Sequence, residues 1–486
     1  MNVLKKILQQ YRKIDVVARA SLWFMFCNII QHGMSIITTP IFTRLLTTDE
    51  YGIVTVYQTW YNVILVLVTL QICYAPLNNA MVKFSNEKNK LLSSMQSFLV
   101  FSSVIWFLFF ILFGNQFSIL RSLPRIAIML GVFHAFSSAS MSLWVAYQRF
   151  EYHYIKLVAI TIMYAVLNTV LGITLVLFMD NGWLARILSM TISQGIFGVS
   201  LCFVNLFKGK TFYSRKFWKY SIKFGITLLP NSFCSLLLNH ADRLVIQQLC
   251  GDTEVAYYGL AYSIGTLTNL VKDALSHAFM PWFYKNLDSG KDKQIQKRLS
   301  ALLWMMLMMI SLVLIIMPEI VLIMGGSKYE HSLQAIPPIA ASVFFMFLST
   351  PIINIQYYYN KLLASSICSI FAVVLNLGLN IALVPVYGYV AAGYTTLLSY
   401  GLITLAEYFY TSYLLKQNLR TEVLDHKNTL VLSFCMLVVM ALSPILYTMP
   451  LIRYFCIGII CIVLFIYRKQ MIQYITDNLL KKDNKI

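Results

Sequence analysis

The chain has 486 residues, of which 59% are hydrophobic and 12% charged, against about 25% charged in an ordinary soluble domain. It carries 38 Lys and Arg against 19 Asp and Glu, a net charge of +19. The composition excludes a soluble globular protein, and the placement of the basic residues, between apolar runs and mostly on one side of them, argues against a nucleic-acid binder.

A bilayer core needs about 20 apolar residues per helix. In chain order the apolar runs predict fourteen spans: 17–43, 52–74, 93–114, 126–147, 157–179, 183–205, 224–249, 255–275, 300–323, 333–356, 363–384, 388–413, 429–448 and 451–467. The runs are continuously apolar rather than alternating every second residue, so they read as helices and not as barrel strands. Ahead of them, MNVLKKILQQYRKI sets Leu4, Ile7, Leu8 and Tyr11 on one face, the pattern of a short amphipathic helix on the inner membrane surface. The first 19 residues are not expected to be a cleavable signal, because the apolar region after them is too long and no small-residue cleavage site follows.

With the N-terminus inside, the inside segments hold 30 of the 38 basic residues, while the outside loops hold Arg44, Arg121, Arg125, Lys328 and Arg453. The positive-inside rule then places both termini in the cytoplasm. Eight of the nine cysteines fall inside or at the ends of spans, and only Cys250 lies near an outside loop. No CxxC or Cys/His spacing occurs, so neither a disulfide framework nor a metal site nor another cofactor is indicated.

The fourth and fifth spans resemble the tenth and eleventh at an offset of 208 residues. Gln148 falls on Gln356, and Val166-Leu167-Asn168 falls on Val374-Leu375-Asn376. After a two-residue slip the match resumes, with Gly182, Ala185, Ser193 and Gly195 on Gly388, Ala391, Ser399 and Gly401. The expected architecture is an all-α integral membrane protein with about fourteen transmembrane helices, in two parallel six-helix lobes plus two appended helices. Its parts would be an N-terminal lobe (1–207), a basic cytoplasmic linker (208–223), a C-terminal lobe (224–414), an appended pair (415–467) and a basic cytoplasmic tail (468–486). Parallel repeats of this kind place a substrate path between the halves, opened to each side in turn.

Three stretches resemble the polysaccharide flippase family of the multidrug/oligosaccharidyl-lipid/polysaccharide exporter superfamily. They are TTPIFTRLLTTDEYGIVTVYQ (Thr38–Gln58), FGITLLPNSFCSLLLNHADRLVIQQLCGDTEVAYYGLAYSI (Phe224–Ile264) and LNLGLNIALVPVYGYVAAGYTTLLSYGL (Leu375–Leu402). The resemblance covers about residues 15 to 465. It implies a flippase that carries undecaprenyl-pyrophosphate-linked oligosaccharide units from the inner to the outer leaflet of the bacterial cytoplasmic membrane, for O-antigen or capsule-type polymers. Membrane lipid and the polymerase and ligase of the same pathway are its implied partners. Related multidrug exporters have twelve spans, so the pair at 429–467 favours the lipid-linked branch, where such helices form an apolar groove for the lipid tail.

A lipid pyrophosphate wants Arg or Lys, its sugars want amides, hydroxyls and aromatic faces, and its tail wants lipid. Arg44 and Arg243, ending the first and seventh spans, lead the candidate cations. Arg19 and Lys223, at the inner mouths of the same helices, are candidates for pyrophosphate capture, although ordinary anchoring explains them too. Gln31, His32, Thr38 and Thr39 of the first span, with Asn231, Ser232, Asn239 and His240 of the seventh, make a polar set that helix–helix hydrogen bonding also explains. Tyr57, Gln58, Tyr258 and Tyr262 are weaker candidates, Pro40 and Pro230 read as kinks, and Arg186 reads as paired or snorkelled. Of the acids near spans (Asp242, Asp273, Glu319 and Glu407), Asp242 is the leading candidate for ion coupling, with Arg243 beside it as a simple structural partner. There is no Walker motif. TTDEYG and CGDTEV suit helix starts, where acidic residues complement the dipole, better than catalysis.

Two other readings stand beside the flippase: a multidrug or cation-coupled exporter, and a membrane-bound polysaccharide polymerase or ligase. Cysteine-accessibility mapping separates the last from a transporter. Short outside loops are expected here, whereas a large folded outside segment would support the enzyme.

Overall fold

Backbone amides and carbonyls inside a bilayer have no water to bond, which forces an apolar chain to satisfy them within helices. The computed structural model describes residues 16–73, 75–113, 123–265, 267–359, 361–455 and 457–458. Among them all regular structure is helical. The amphipathic segment 1–14 and the tail 468–486 lie outside the described residues, as does most of the fourteenth span.

The long helices are α1 (Val16–Leu45), α2 (Thr48–Thr69), α3 (Ala75–Lys83), α4 (Lys88–Phe113), α5 (Arg125–Phe150), α6 (Tyr154–Phe178), α7 (Gly182–Gly209) and α8 (Arg215–Leu249). They continue with α9 (Asp252–Gly265), α10 (Leu267–Asp288), α11 (Asp292–Ile315), α12 (Met317–Gly325), α13 (Ile336–Tyr358), α14 (Leu362–Tyr387), α15 (Val390–Gln417) and α16 (His426–Tyr447). Among the described residues ten helices are long and apolar enough to cross a membrane: α2, α4, α5, α6, α7, α8, α11, α13, α14 and α16. The first, eighth and twelfth expected spans are occupied by α1, by α9 with α10, and by α15, which carry more polar residues. The chain is an all-α, multi-pass membrane protein.

Contacts divide the chain into two units, Met1–Ala256 and Tyr257–Ile486. The repeat starts its second lobe at residue 224. The contact division falls later because α8 lies against α2, α3 and α4 of the first unit. Of the basic segment 208–223, α7 takes the start and α8 the residues from Arg215 onward, which leaves a short turn between them.

In the first unit α7 packs along α5, with α6 and α4 on its flanks, α2 on α5 and α1 on α6. The α7 face that meets these neighbours is small or polar: Ala185, Ser189, Ser193, Cys202 and Asn205 are all buried. Asn205 Nδ2 donates to Gln96 Oε1 at 3.0 Å, and Gln96 Nε2 donates to Ser140 Oγ at 2.8 Å, so one buried chain of amides ties α7, α4 and α5. Other serine hydroxyls bond back to their own helix four residues earlier, as those of Ser97 and Ser103 do.

In the second unit α13 is the enclosed central helix, with α15, α11, α10 and α16 packed on it and α14 on α15. The repeat persists in the backbone. Starts of α6 and α14, and both bounds of α7 and α15, stand at the offset of 208. The turns that lead into α6 and α14 match, with His153 N to Gln148 O and Lys361 N to Gln356 O both at 2.9 Å, and Gln148 and Gln356 both buried. The two-residue slip expected from sequence is therefore absent. Gly182 opens α7 behind the Asn181 cap, whereas Gly388 closes α14 at φ 69°, where glycine avoids the Cβ strain of a left-handed residue. The two glycines do different jobs and are not equivalents.

The appended helix α16 turns Thr429, Leu432, Met436, Met440 and Ser443 inward, and it packs on α11 and α13. Its outer face, with Leu430, Phe434, Leu442 and Ile445, is equally apolar and exposed, as a lipid-facing helix must be. Ion pairs hold it at both ends. In the preceding turn Arg420 Nε reaches both carboxylate oxygens of Asp292 at 3.1 Å. Beyond α16, Arg453 pairs with Glu319 of α12, which also accepts the Tyr454 hydroxyl at 2.7 Å.

Both members of the Arg420–Asp292 pair are partly buried and the contact is two-pronged, so breaking it costs more than the about 0.2–1 kcal/mol of an exposed pair. Arg420→Ala is expected to lower the melting temperature of the detergent-purified protein by several degrees. Arg420→Lys, which keeps the charge and loses the two-pronged geometry, should fall between. An unchanged melting curve for both variants would show that the clamp contributes nothing to stability.

Candidate functional site

A polar cavity of about 520 Å³ opens inside the first unit. One stripe of α5 supplies Ser138, Met141, Ser142, Val145 and Arg149 at helical spacing. Tyr61 of α2, Asn78 of α3, Tyr164 of α6 and Gln194 of α7 complete the polar part of its wall. Among the described residues no carboxylate lines it, and Arg149, on the last turn of α5, gives it a positive end.

The wall is held from behind. Tyr61 donates its hydroxyl to Ser138 Oγ at 2.8 Å, and its ring stacks on buried His134 with centroids 4.2 Å apart. His134 Nδ1 pairs with the Tyr57 hydroxyl at 3.0 Å, which in turn meets Thr191 Oγ1 at 3.3 Å. Gln194 directs its amide nitrogen to the Met141 sulfur at 3.4 Å, a weak acceptor that keeps the amide adaptable. An arginine able to grip phosphate with two N–H groups, two tyrosine rings, two amides and two serines therefore face one space.

A second cationic cluster lies where α1, α2, α7 and α8 meet. Arg186 is buried with its guanidinium 3.8 Å over the Phe42 ring, and its Nη1 donates to Asn168 Oδ1 and Ser189 Oγ at 3.2 Å each. Arg243 is buried with Nη1 2.6 Å from His240 Nδ1 and 3.4 Å from Asn239 O. Tyr51 stands within electrostatic reach of both arginines. The TTDEYG and CGDTEV segments meet here. Thr47 and Glu50 form a capping box on α2, Glu50 Oε1 accepts from Gly182 N at 2.7 Å, and Asp49 accepts the Thr253 hydroxyl. A Cβ on Gly52 would lie 1.9 Å from the Asp252 carbonyl oxygen, so only glycine permits the approach. Burial lifts the Asp252 carboxyl above its ordinary value; the bond from Gln247 opposes that lift and the charge of Asp49 adds to it.

The sequence candidates whose side chains are described sit elsewhere than the cavity. Arg44 is exposed on the last turn of α1. Lys223 and Asn231 are exposed on α8, Asn239 spends its amide on Ser235 O at 2.6 Å, and Asp242 is buried beside Arg243. The side chains of Arg19, Gln31 and His32 lie outside the described residues. Among the described residues no three His, Cys, Asp or Glu side chains gather as metal ligands. Sequence reasoning missed Arg149, Tyr61, Asn78, Ser138, Ser142, Tyr164 and Gln194. The serine spacing of FSSASMS in α5 was the available signal.

Comparison with known proteins follows the same outline. The family described as polysaccharide biosynthesis protein matches residues 17–287, and the MatE family matches residues 229–382. A Haemophilus influenzae protein of the Lsg locus is 28% identical over 171 residues, 34% of this chain and 41% of that protein, so the chain spans about two fifths of the length of that curated relative. The lipid II flippase MurJ, in its inward closed conformation, superposes with a TM-score of 0.68 at 12% identity, over 93% of this chain and 100% of that one. An inward-facing multidrug resistance MATE family transporter superposes with a TM-score of 0.63, also at 12% identity, over 82% and 98%. At such identity the two structures establish the fold, and the sequence match establishes the family: this chain belongs to the polysaccharide biosynthesis protein family.

Proposed function

We propose that the chain is a flippase for a lipid-linked oligosaccharide, which it moves from the inner to the outer leaflet of a bacterial cytoplasmic membrane by alternating access, with both termini cytoplasmic. The observation that carries this reading is the cavity whose lining joins Arg149 to tyrosines, amides and serines, with no carboxylate among the described residues. A drug cation would be held by a carboxylate or an aromatic cage; a pyrophosphate wants the guanidinium. The sugars of the cargo want the hydroxyls, amides and ring faces beside it. Undecaprenyl pyrophosphate is the carrier to which this reading assigns the cargo, and an envelope polymer of the O-antigen or capsule type is its destination, with the pathway's polymerase and ligase downstream. Arg44, Arg243, Arg19 and Lys223 remain proposed cations along the route, with Asn231, Asn239, Gln31 and His32 as proposed sugar contacts and Asp242 as a proposed ion-coupling acid. Multidrug export is the second reading, favoured by the MatE match to residues 229–382.

Deleting the gene and resolving the lipid-linked glycans by mass spectrometry decides between them. Accumulation of completed units on the inner leaflet supports the flippase; an unchanged lipid pool with altered drug tolerance supports export. In the deleted strain, Arg149→Ala is expected to restore transport at least about tenfold less well than the wild type, given about 1.5–3 kcal/mol for a hydrogen bond to a charged group. Full restoration by Arg149→Ala would remove that residue from the site. Tyr61→Phe keeps the stack on His134 and loses the bond to Ser138, so it should restore flux partly, and Tyr61→Ala much less. Equal restoration by both tyrosine variants would show that the ring face plays no part.

A further inference from the structure

From the end of α7 into the start of α8, the chain sets six cations close together. Lys208, Lys210, Arg215, Lys216, Lys219 and Lys223 fall in a stretch with no Asp or Glu, and all six are exposed. The charge rule that orients the spans explains a basic excess here, but not the way this excess is held.

The backbone under the cations is fastened to the first unit. Gly209 brings the end of α7 against α4, where a Cβ would lie 2.1 Å from Asn89 O, so the approach admits glycine alone. The left-handed corner then falls on Lys210, at φ 49°. Ser93 of α4 holds the next residue, its hydroxyl 3.0 Å from Thr211 O and accepting from Thr211 N at 3.3 Å. Trp218 Nε1 donates to Ser94 O at 2.9 Å, and the Trp218 ring meets Tyr213 edge-on with centroids 5.0 Å apart. On α8, Phe217, Ser221 and Gly225 turn inward at a spacing of four residues. Arg215, Lys219 and Lys223 repeat at the same spacing two residues earlier, which places them on the opposite, outer face.

Charge and apolar surface meet along this stretch. Among the described residues Lys216 alone of the six forms an ion pair, with Glu87 at 2.9 Å. Phe207, Phe212 and Tyr213 stand exposed beside the cations. The 35 residues of α8 extend about 52 Å at 1.5 Å per residue, against a hydrocarbon core of about 30 Å. Its basic first turns therefore reach headgroup depth, where rings enter the edge of the acyl layer and cations meet phosphates. A zwitterionic headgroup fits poorly, because its ammonium finds a single acid, Glu87, that Lys216 already holds. A pyrophosphate in transit needs cations that converge on an enclosed space, whereas these six face outward.

We propose that segment 208–223 is a binding surface for anionic phospholipid headgroups, seated on the leaflet that this end of the first unit meets. The orientation proposed above makes it the inner leaflet, but the surface rests neither on that orientation nor on the cargo.

The test uses the full chain purified in detergent, with phosphatidylglycerol and phosphatidylcholine as probes. Native mass spectrometry counts the lipid that each molecule keeps. The wild type is expected to hold phosphatidylglycerol at least about tenfold more tightly, since each cation near an anionic surface is worth about fivefold. Added sodium chloride should reduce the preference by screening exposed charge. Combining Lys210→Gln, Arg215→Gln, Lys216→Gln and Lys219→Gln should abolish it. A control that loses the same charge from other basic segments, Lys285→Gln with Lys291→Gln, Lys297→Gln and Lys416→Gln, should keep it. Should the first variant aggregate, photoactivatable phosphatidylglycerol on the wild type reads the site directly, with adducts concentrated in peptides from 203–223. Equal retention of both lipids, equal loss of preference in both variants, or adducts spread evenly over the basic segments overturns the proposal. So does release of phosphatidylglycerol by equimolar inorganic pyrophosphate, which would give these cations to the phosphates of a cargo.

Discussion

A polar side chain on a helix in lipid has no water to bond, so it must find its partner on a neighbouring helix or on its own backbone. That requirement fixes the packing of both units. Gln96 joins Ser140 and Asn205 across three helices of the first. In the second, Asn376, Asn380 and Thr395 make a comparable chain, with Asn380 Nδ2 to Asn376 Oδ1 at 3.2 Å and the Thr395 hydroxyl to Asn380 Oδ1 at 2.5 Å. Apolar surface alone could not choose these registers, because every face of these helices is apolar enough for lipid. Amide and hydroxyl pairs choose them, since a slip of one residue would leave several buried groups unmatched.

The same rule explains the appended helix. α16 has no apolar advantage in docking on α11 and α13 over facing lipid, as its exposed side is just as hydrophobic. Its position is set by charges near its two ends, Arg420 with Asp292 before it and Arg453 with Glu319 after it. Charged groups at the ends of a span hold a helix that the hydrophobic effect leaves free to drift.

Helix positions were legible in the sequence because continuous apolar runs admit one structure in a bilayer, and the repeat was legible because Gln148 and Gln356 keep buried places at the same turn. The cavity was not. Arg149 counted as an inside anchor, since the charge rule that orients a membrane protein treats every basic residue at a helix end alike. Tyr61 lies in an apolar run, and its partners His134 and Ser138 are more than 70 residues away. Asp242 led the acids although Arg243 beside it offers a simple partner, whereas Glu407 sits among aromatics, and only the packing of α13 and α14 shows its burial. The slip at Gly388 was misread because glycine marks both the starts and the stops of helices.

Duplication gave the two halves one backbone, and their chemistry has since diverged. At the offset of 208 residues, the cavity residues Arg149, Ser138, Tyr164 and Gln194 correspond to Tyr357, Met346, Ala372 and Leu402. Arg186 corresponds to Tyr394, and Glu407 corresponds to Val199. Neither set of charges is thus a requirement of the shared fold, since each half forms the same helices without the other's set. Arg149 and Arg186 lie in the first repeat, whereas Arg243 and Glu407 lie in the second. The duplicated helices thus tolerate different intramembrane charges, provided that each charge finds its own partner within the bundle.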